Sequence, residues 1–246
     1  PSYEPSDDLL ENRVILVTGA GDGIGRATSR AFARHGATVI LLGRTVRKLE
    51  DTYDRIINDG GPEPAIYPLD LLGAQPDHYD ELVKNVRDQL GRLDGLLHNA
   101  SLLGMLSPLE HYDLESWSKV MQVNVHAPLL LTRASLSLLR ESADASIIFT
   151  SSGVGRKARA YWGAYAISKF ANEGMMQVLS DELDTTSVRV NSLNPGAVRT
   201  TMRAAAYPGE DPRKLLTPDD IVKPYLYLMG PDSHGVNGQA LSAQDK

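Results

Sequence analysis

A short apolar run, Val14–Val17, ends in Thr18-Gly19-Ala20-Gly21-Asp22-Gly23-Ile24-Gly25, and a helical stretch follows as far as His35 before Gly36 stops it. This junction narrows the possible folds more than any other segment. Backbone stripped of side chains can approach a phosphate closely, and a helix N-terminus offers free N–H groups and a partial positive charge. The spacing is T-G-x-x-x-G-x-G, with Ile24 where the third glycine of G-x-G-x-x-G would fall. The Lys-Ser/Thr of a Walker A loop does not follow it. Alone, such a stretch is equally a flexible surface turn. Between a first strand and a first helix, it reads as the floor of a dinucleotide site.

The rest of the chain repeats the alternation. Thr38–Leu42 is a second apolar run, Thr45–Asn58 a helix, and Ala65–Leu69 a third run weakened by Pro64 and Pro68. Tyr79, Leu82, Val83, Val86 and Leu90 recur at helical spacing. Leu93–His98, Ser146–Thr150 and Val188–Leu193 read as strands four to six, with Gln239–Ser242 as a last short one. Between them the pattern predicts helices over Leu114–Arg140, broken or kinked at Pro128, over Ala164–Leu183, and from Thr217-Pro218-Asp219-Asp220 to Gly230. The expected fold class is α/β: one Rossmann-type, doubly wound parallel sheet of about seven strands with helices on both faces. With 246 residues it is expected to be a single domain. Residues 1–11 form a polar, acidic N-terminal arm, and 201–216, which lacks periodicity and holds Pro208, Gly209 and Pro212, reads as a mobile loop or substrate lid.

Composition removes other classes. A net charge of −6 argues against a general nucleic-acid binder, which needs a basic surface. Without cysteine there is no disulfide, thiolate metal site or cysteine nucleophile, and the six histidines show no H-x-x-x-H spacing, so no metal is expected. No run approaches the roughly 18 apolar residues of a membrane span, and the N-terminus lacks the basic and apolar regions of a signal peptide. A cytoplasmic location is the default expectation.

Tyr165 and Lys169 are four apart on a predicted helix and share a face. Ser152 lies at the end of strand five, in Thr150-Ser151-Ser152-Gly153, and Asn124 sits between Val123 and Val125. Hydride delivery to a carbonyl requires an acid for the forming alkoxide. A free phenol titrates near 10, and bringing it to about 7 takes roughly 4 kcal/mol of preferential stabilisation of phenolate. The Lys169 ammonium is the simplest source. Ser152 can polarise the substrate oxygen. Asn124 can hold a water that links Lys169 to solvent, or merely bond nearby backbone. At the end of strand two, the acidic slot that would hold the ribose of NAD is empty, and Arg44 follows it, which favours NADP(H) over NAD(H).

Together these residues resemble the short-chain dehydrogenase/reductase family, in its compact single-domain branch, over about residues 10–242. The resemblance implies a cofactor site formed by Thr18, Gly19, Gly21, Asp22, Gly23, Ile24, Gly25 and Arg44, then Asp70 and Leu71 near the adenine. It adds Asn99, Ala100 and Ser101 after strand four, Tyr165 and Lys169 again, and Pro195, Gly196, Val198 and Thr200 beside the nicotinamide. It also implies a catalytic tetrad of Asn124, Ser152, Tyr165 and Lys169. His98-Asn99-Ala100-Ser101 departs from the commoner Asn-Asn-Ala-Gly. At finer grain, Gly36–Arg44, Trp162–Tyr165 and Glu173–Gln177 are similar to the bacterial YciK-type oxidoreductases.

The activity implied is hydride transfer between nicotinamide and a small-molecule alcohol or carbonyl, in a homodimer or homotetramer joined through the helices after strands four and five. Substrate loops fall at Ser101–Leu109, Gly153–Trp162 and Met202–Leu216. Arg156-Lys157-Ala158-Arg159 is either a solvated loop or an anion-recognising one. A rival reading keeps the fold and the nucleotide but makes the chain a catalytically silent sensor or scaffold.

Overall fold

The structure, a computed structural model, describes residues 3–244. Residues 1 and 2 of the expected N-terminal arm fall outside it. The strands are β1 (Val14–Thr18), β2 (Thr38–Gly43), β3 (Ala65–Pro68), β4 (Gly95–His98), β5 (Ala145–Thr150), β6 (Val188–Asn194) and β7 (Ala240–Ser242). They form one sheet in the order β3-β2-β1-β4-β5-β6-β7, parallel throughout. The expected doubly wound sheet is therefore present, with its proline-weakened strand β3 at one edge and the short β7 at the other.

Period-two alternation assigns each central strand residue to one of two cores. Leu16, Leu96, Ile147 and Phe149 pack with Tyr79, Leu82, Leu131 and Leu138, from helices α3 (Pro76–Leu90) and α5 (Ala127–Arg140). Their neighbours Ile15, Val17, Leu97 and Ile148 face the other side. There Phe32 of α1 (Gly23–Arg34) and Leu226 and Leu228 of α8 (Val222–Met229) cover them. Because each fully buried Leu, Ile or Phe contributes about 1.5–3 kcal/mol, a one-residue slip of any central strand would invert both cores. Leu9 and Leu10 belong to the second core, with the Leu10 N–H donating to the His35 carbonyl at 2.8 Å, so the predicted arm is anchored at its base.

Three further helices are α2 (Val46–Asn58), α4 (Leu114–Met121) and α6 (Gly163–Glu182). Two expectations need correction. The segment predicted as one helix over Leu114–Arg140 is α4, a π-helical turn at Gln122–His126, and then α5. The break precedes Pro128 instead of falling on it, because proline has no N–H to return to the carbonyl four residues earlier, that of Asn124. The region read as an irregular lid begins with a helix, α7 (Thr201–Ala206), capped by the Thr200 hydroxyl, which accepts from Arg203 N–H at 3.1 Å. A backbone bridge between Val198 and Leu216 ties the far end of this segment back to the cleft. Among the described residues, no helix is long and apolar enough to cross a membrane, and no group of three His, Asp or Glu is placed to hold a metal ion.

Candidate active site

After β1 the chain goes outward to β2 and β3, then returns to place β4 on the other side of β1. That reversal opens a crevice beyond the carboxyl ends of β1 and β4, where open α/β sheets bind ligands. A cleft of about 520 Å³ lies there.

The glycine-rich turn forms its floor. Gly19 and Gly23 have φ of +69° and +49°, in the left-handed region that glycine enters at no steric cost. Gly25 is required for a different reason. A Cβ there would stand 2.2 Å from the Gly19 carbonyl oxygen and 2.6 Å from Asn99 Nδ2, so its bare Cα is what lets α1 start against β1. Behind this turn, the Thr18 hydroxyl accepts from the Asn99 and Ala100 N–H groups at 2.9 and 3.0 Å, and Asn99 Nδ2 donates to the Thr18 carbonyl at 3.2 Å. Thr18 and Gly25 thus lie behind the wall and fix it, whereas Gly19, Gly21, Asp22, Gly23 and Ile24 line the cleft.

Asp22 caps α1, taking the Gly23 N–H at 2.8 Å, and its second oxygen accepts from Lys48 Nζ at 2.6 Å. These bonds, the Lys48 one foremost, hold its carboxyl below the usual range. Arg44, at the end of β2, lines the same stretch, so two cations stand at one end of the cleft. Sequence reasoning found Arg44 and missed Lys48. The signal available was its position four residues on, in the first turn of α2. Asp70 and Leu71 face them, with Asp70 accepting the Leu72 N–H at 3.1 Å. Asn99, Ala100 and Ser101 form the middle, and the Ser101 hydroxyl is buried without a protein partner. Pro195, Gly196, Val198 and Thr200 close the far wall.

At the other end, Ser152, Tyr165 and Lys169 meet. Lys169 Nζ donates to the Thr150 carbonyl at 2.8 Å and lies 5.5 Å from the Tyr165 ring centroid. Burial pushes the phenol up to about 12, while the Ser152 hydroxyl pulls it down. This reverses the expected direction. The loss of solvation of phenolate outweighs the Ser152 hydrogen bond. The Lys169 amine is itself buried and held down at about 8 despite the nearby Glu173 carboxylate. Trp162 packs beside Tyr165 and against Tyr207, with ring centroids 5.8 Å apart in both cases. Arg203 stacks over Tyr207 at 3.8 Å and pairs with both oxygens of Glu210 at 2.6 Å.

Asn124 is not in the cleft wall. Its side chain accepts from Leu102 N–H at 2.7 Å and donates to the Leu102 carbonyl at 2.9 Å and to the Ser168 hydroxyl at 3.0 Å. The backbone-bonding alternative describes this amide: it clamps the segment after β4 onto the π turn. Arg156 is likewise committed, to Glu173 at 3.2 Å and to the Leu241 carbonyl at 2.6 Å, and does not present a free cation to a substrate.

Residues 13–211 match the family model for short chain dehydrogenases. The uncharacterised oxidoreductase YciK of Escherichia coli K12 is 52% identical over 242 residues, covering 98% of this chain and 96% of its own. A short chain dehydrogenase structure from Pseudomonas syringae superposes with a TM-score of 0.97 at 57% identity, covering 99% of each chain. One from Escherichia coli CFT073, complexed with NADPH, gives a TM-score of 0.96 at 52% identity, covering 98% of this chain and all of that one.

Proposed function

Because the chain belongs to the short-chain dehydrogenase family, we propose that it is an NADP(H)-dependent oxidoreductase acting on an alcohol or carbonyl substrate, with Tyr165 as the proton carrier. The observation that carries this reading is the meeting of Ser152, Tyr165 and Lys169 in the same cleft as the glycine-rich turn and the Arg44–Lys48 pair. The residues fit a dinucleotide on two counts. The turn keeps left-handed glycines where a pyrophosphate would approach, and the buried Ser101 hydroxyl has a donor and acceptor to offer. Arg44 and Lys48 suit the extra phosphate of NADP, and a relative at 52% identity is complexed with NADPH.

The dinucleotide supplies or accepts the hydride. The chain's residues handle the proton. Ser152 holds the substrate oxygen by a hydrogen bond, and the Tyr165 phenol gives its proton to that oxygen as negative charge gathers on it. In the oxidative direction the phenolate takes the proton back. Moving the phenol from about 12 to near neutrality takes about 7 kcal/mol. Lys169 contributes a positive charge, and its remaining N–H groups are free to hold ribose hydroxyls. Asn124 is assigned to the tetrad as the clamp on the Leu102 segment, which forms part of the substrate wall. One domain carries both subsites, and 201–216 covers the substrate end. Leu129 of α5 and Ile167, Phe170 and Val178 of α6 are exposed, which supports homo-oligomerisation through these helices.

NADPH oxidation over a panel of ketones, quinones and aldehydes, beside a Tyr165→Phe control, tests the assignment. Turnover that the control loses while still binding NADPH supports it. Binding without turnover across the panel favours the silent sensor instead.

A further inference from the structure

Glu173 is a buried carboxylate one helical turn beyond Lys169 on α6. One of its oxygens accepts from the Ser192 hydroxyl of β6 at 2.6 Å. The other takes a short hydrogen bond from the Ser151 hydroxyl, at the end of β5, and one from Arg156 Nε at 3.2 Å. Arg156 in turn reaches the Leu241 carbonyl at 2.6 Å and the Ser242 hydroxyl at 3.1 Å. Glu173 therefore joins the helix that carries Tyr165 and Lys169 to the end of β5 and to β6, and through Arg156 to β7. The turn after Ser152 sits tightly on this helix, since a Cβ on Gly155 would meet Lys169 Cβ at 2.6 Å.

A buried carboxylate is expensive unless charged or polar groups satisfy it. Here one guanidinium and two hydroxyls do so, in a place where an apolar residue would have cost less. What an apolar residue could not supply is negative charge beside a buried ammonium. The charged groups facing Glu173 are Lys169 on its own helix and Arg156 from the turn after β5. Lys169 faces Glu173, the Tyr165 ring and the Thr150 carbonyl.

We propose that Glu173 is a positioning residue for the proton-transfer site: it keeps the Lys169 amine charged and pins the Ser151–Ser152 segment against it, with Arg156 setting how much of its negative charge Lys169 feels. This rests on the assignment of Lys169 to catalysis, but its test does not. Burial drives the Lys169 amine down and the Glu173 carboxylate opposes it, which agrees with the geometry.

The experiment is an NMR titration of the lysine ε-carbons in the isotopically labelled full chain, with Lys169 assigned through Lys169→Met. Glu173→Gln keeps the shape and removes the charge. Its Lys169 midpoint is expected about one pH unit below that of the parent protein. Arg156→Gln leaves the carboxylate uncompensated, and its midpoint is expected to move up by about half a unit. Opposite shifts are what an electrostatic role produces and a loosened helix does not. Coincident midpoints, or shifts in the same direction, overturn the proposal. If Glu173→Gln does not unfold cooperatively, Arg156→Gln decides alone: an upward shift supports the proposal, and any other result rejects it. Unchanged turnover with these shifts intact would instead count against the catalytic assignment.

Discussion

Lys48 Nζ and the Asp22 carboxylate close a 2.6 Å ion pair across one end of the cleft, tying the first turn of α2 to the N-cap of α1. Both side chains are about half exposed, so the pair itself adds little stability. Its consequence is for ligand choice. Lys48 is held at the rim beside Arg44, poised for a second anion, and in a nucleotide site that anion is the 2′-phosphate. Charge-assisted bonds to phosphate contribute about 1.5–3 kcal/mol each. Lys48→Ala and Arg44→Ala should each weaken NADPH binding by about 10–100-fold, with the Kd for NADH changed less than about twofold. Fluorescence titration with both nucleotides reads the ratio. An equal loss for NADH would show that these cations serve the turn and not the phosphate.

Gly25 and Gly174 separate two ways in which glycine matters. A methyl at Gly25 meets fixed backbone at 2.2 Å, whereas one at Gly174, inside α6, meets nothing within 4 Å. Gly25→Ala should destabilise the chain by about 3 kcal/mol and abolish measurable dinucleotide binding, since the turn must move as a body. Gly174→Ala should stabilise it by about 0.5–1 kcal/mol through helix propensity. Urea unfolding of the two variants gives both signs.

The parts of this fold that could be read from the sequence are those that depend on neighbours along the chain. Alternating apolar runs located all seven strands, and the glycines located the turn that joins β1 to α1. Tyr165 and Lys169 could be paired because a helix fixes the distance between residues four apart. What was missed depends on contacts across the fold. The partner of Asn124 is Leu102, 22 residues away, and that of Glu173 includes Ser192, 19 residues away on another strand. Lys48 gains its meaning only when α2 packs beside the glycine turn. The break in the Leu114–Arg140 helix was expected at Pro128 because proline signals it at its own position, while the carbonyl it fails to bond lies a turn earlier, in the π turn.

Asn124→Ala tests the clamp. It would leave the Leu102 N–H and carbonyl without their side-chain partners in a partly buried place, at a cost of about 2–3 kcal/mol. Leu102 lines the cleft, so the loss should also raise KM for any apolar substrate found in the panel while NADPH affinity stays within about threefold. Asn124→Asp should be as damaging, because a carboxylate would face the Leu102 carbonyl where the amide donated. A variant with parental stability but no turnover would mean that Asn124 acts in the chemistry itself.

His98 stands at the end of β4, stacked on Phe149 at 4.8 Å and joined by Nε2 to the Thr132 hydroxyl at 2.8 Å. Burial holds the imidazole far down, at about 3 against an ordinary 6.5. Between those values the unfolded chain binds a proton that the folded chain refuses. Stability therefore rises with pH across that window, by up to about 1.4 kcal/mol per unit from this group, and the contribution is complete above pH ~6.5. His98→Asn keeps a polar contact to Thr132 and removes the titration. Its unfolding free energy, measured by urea from mildly acidic to neutral pH, should fall less steeply on acidification than that of the parent protein. Parallel profiles would place the acid sensitivity elsewhere, with the Asp94 and Asp144 carboxylates, both held below their usual range, as the next groups to replace.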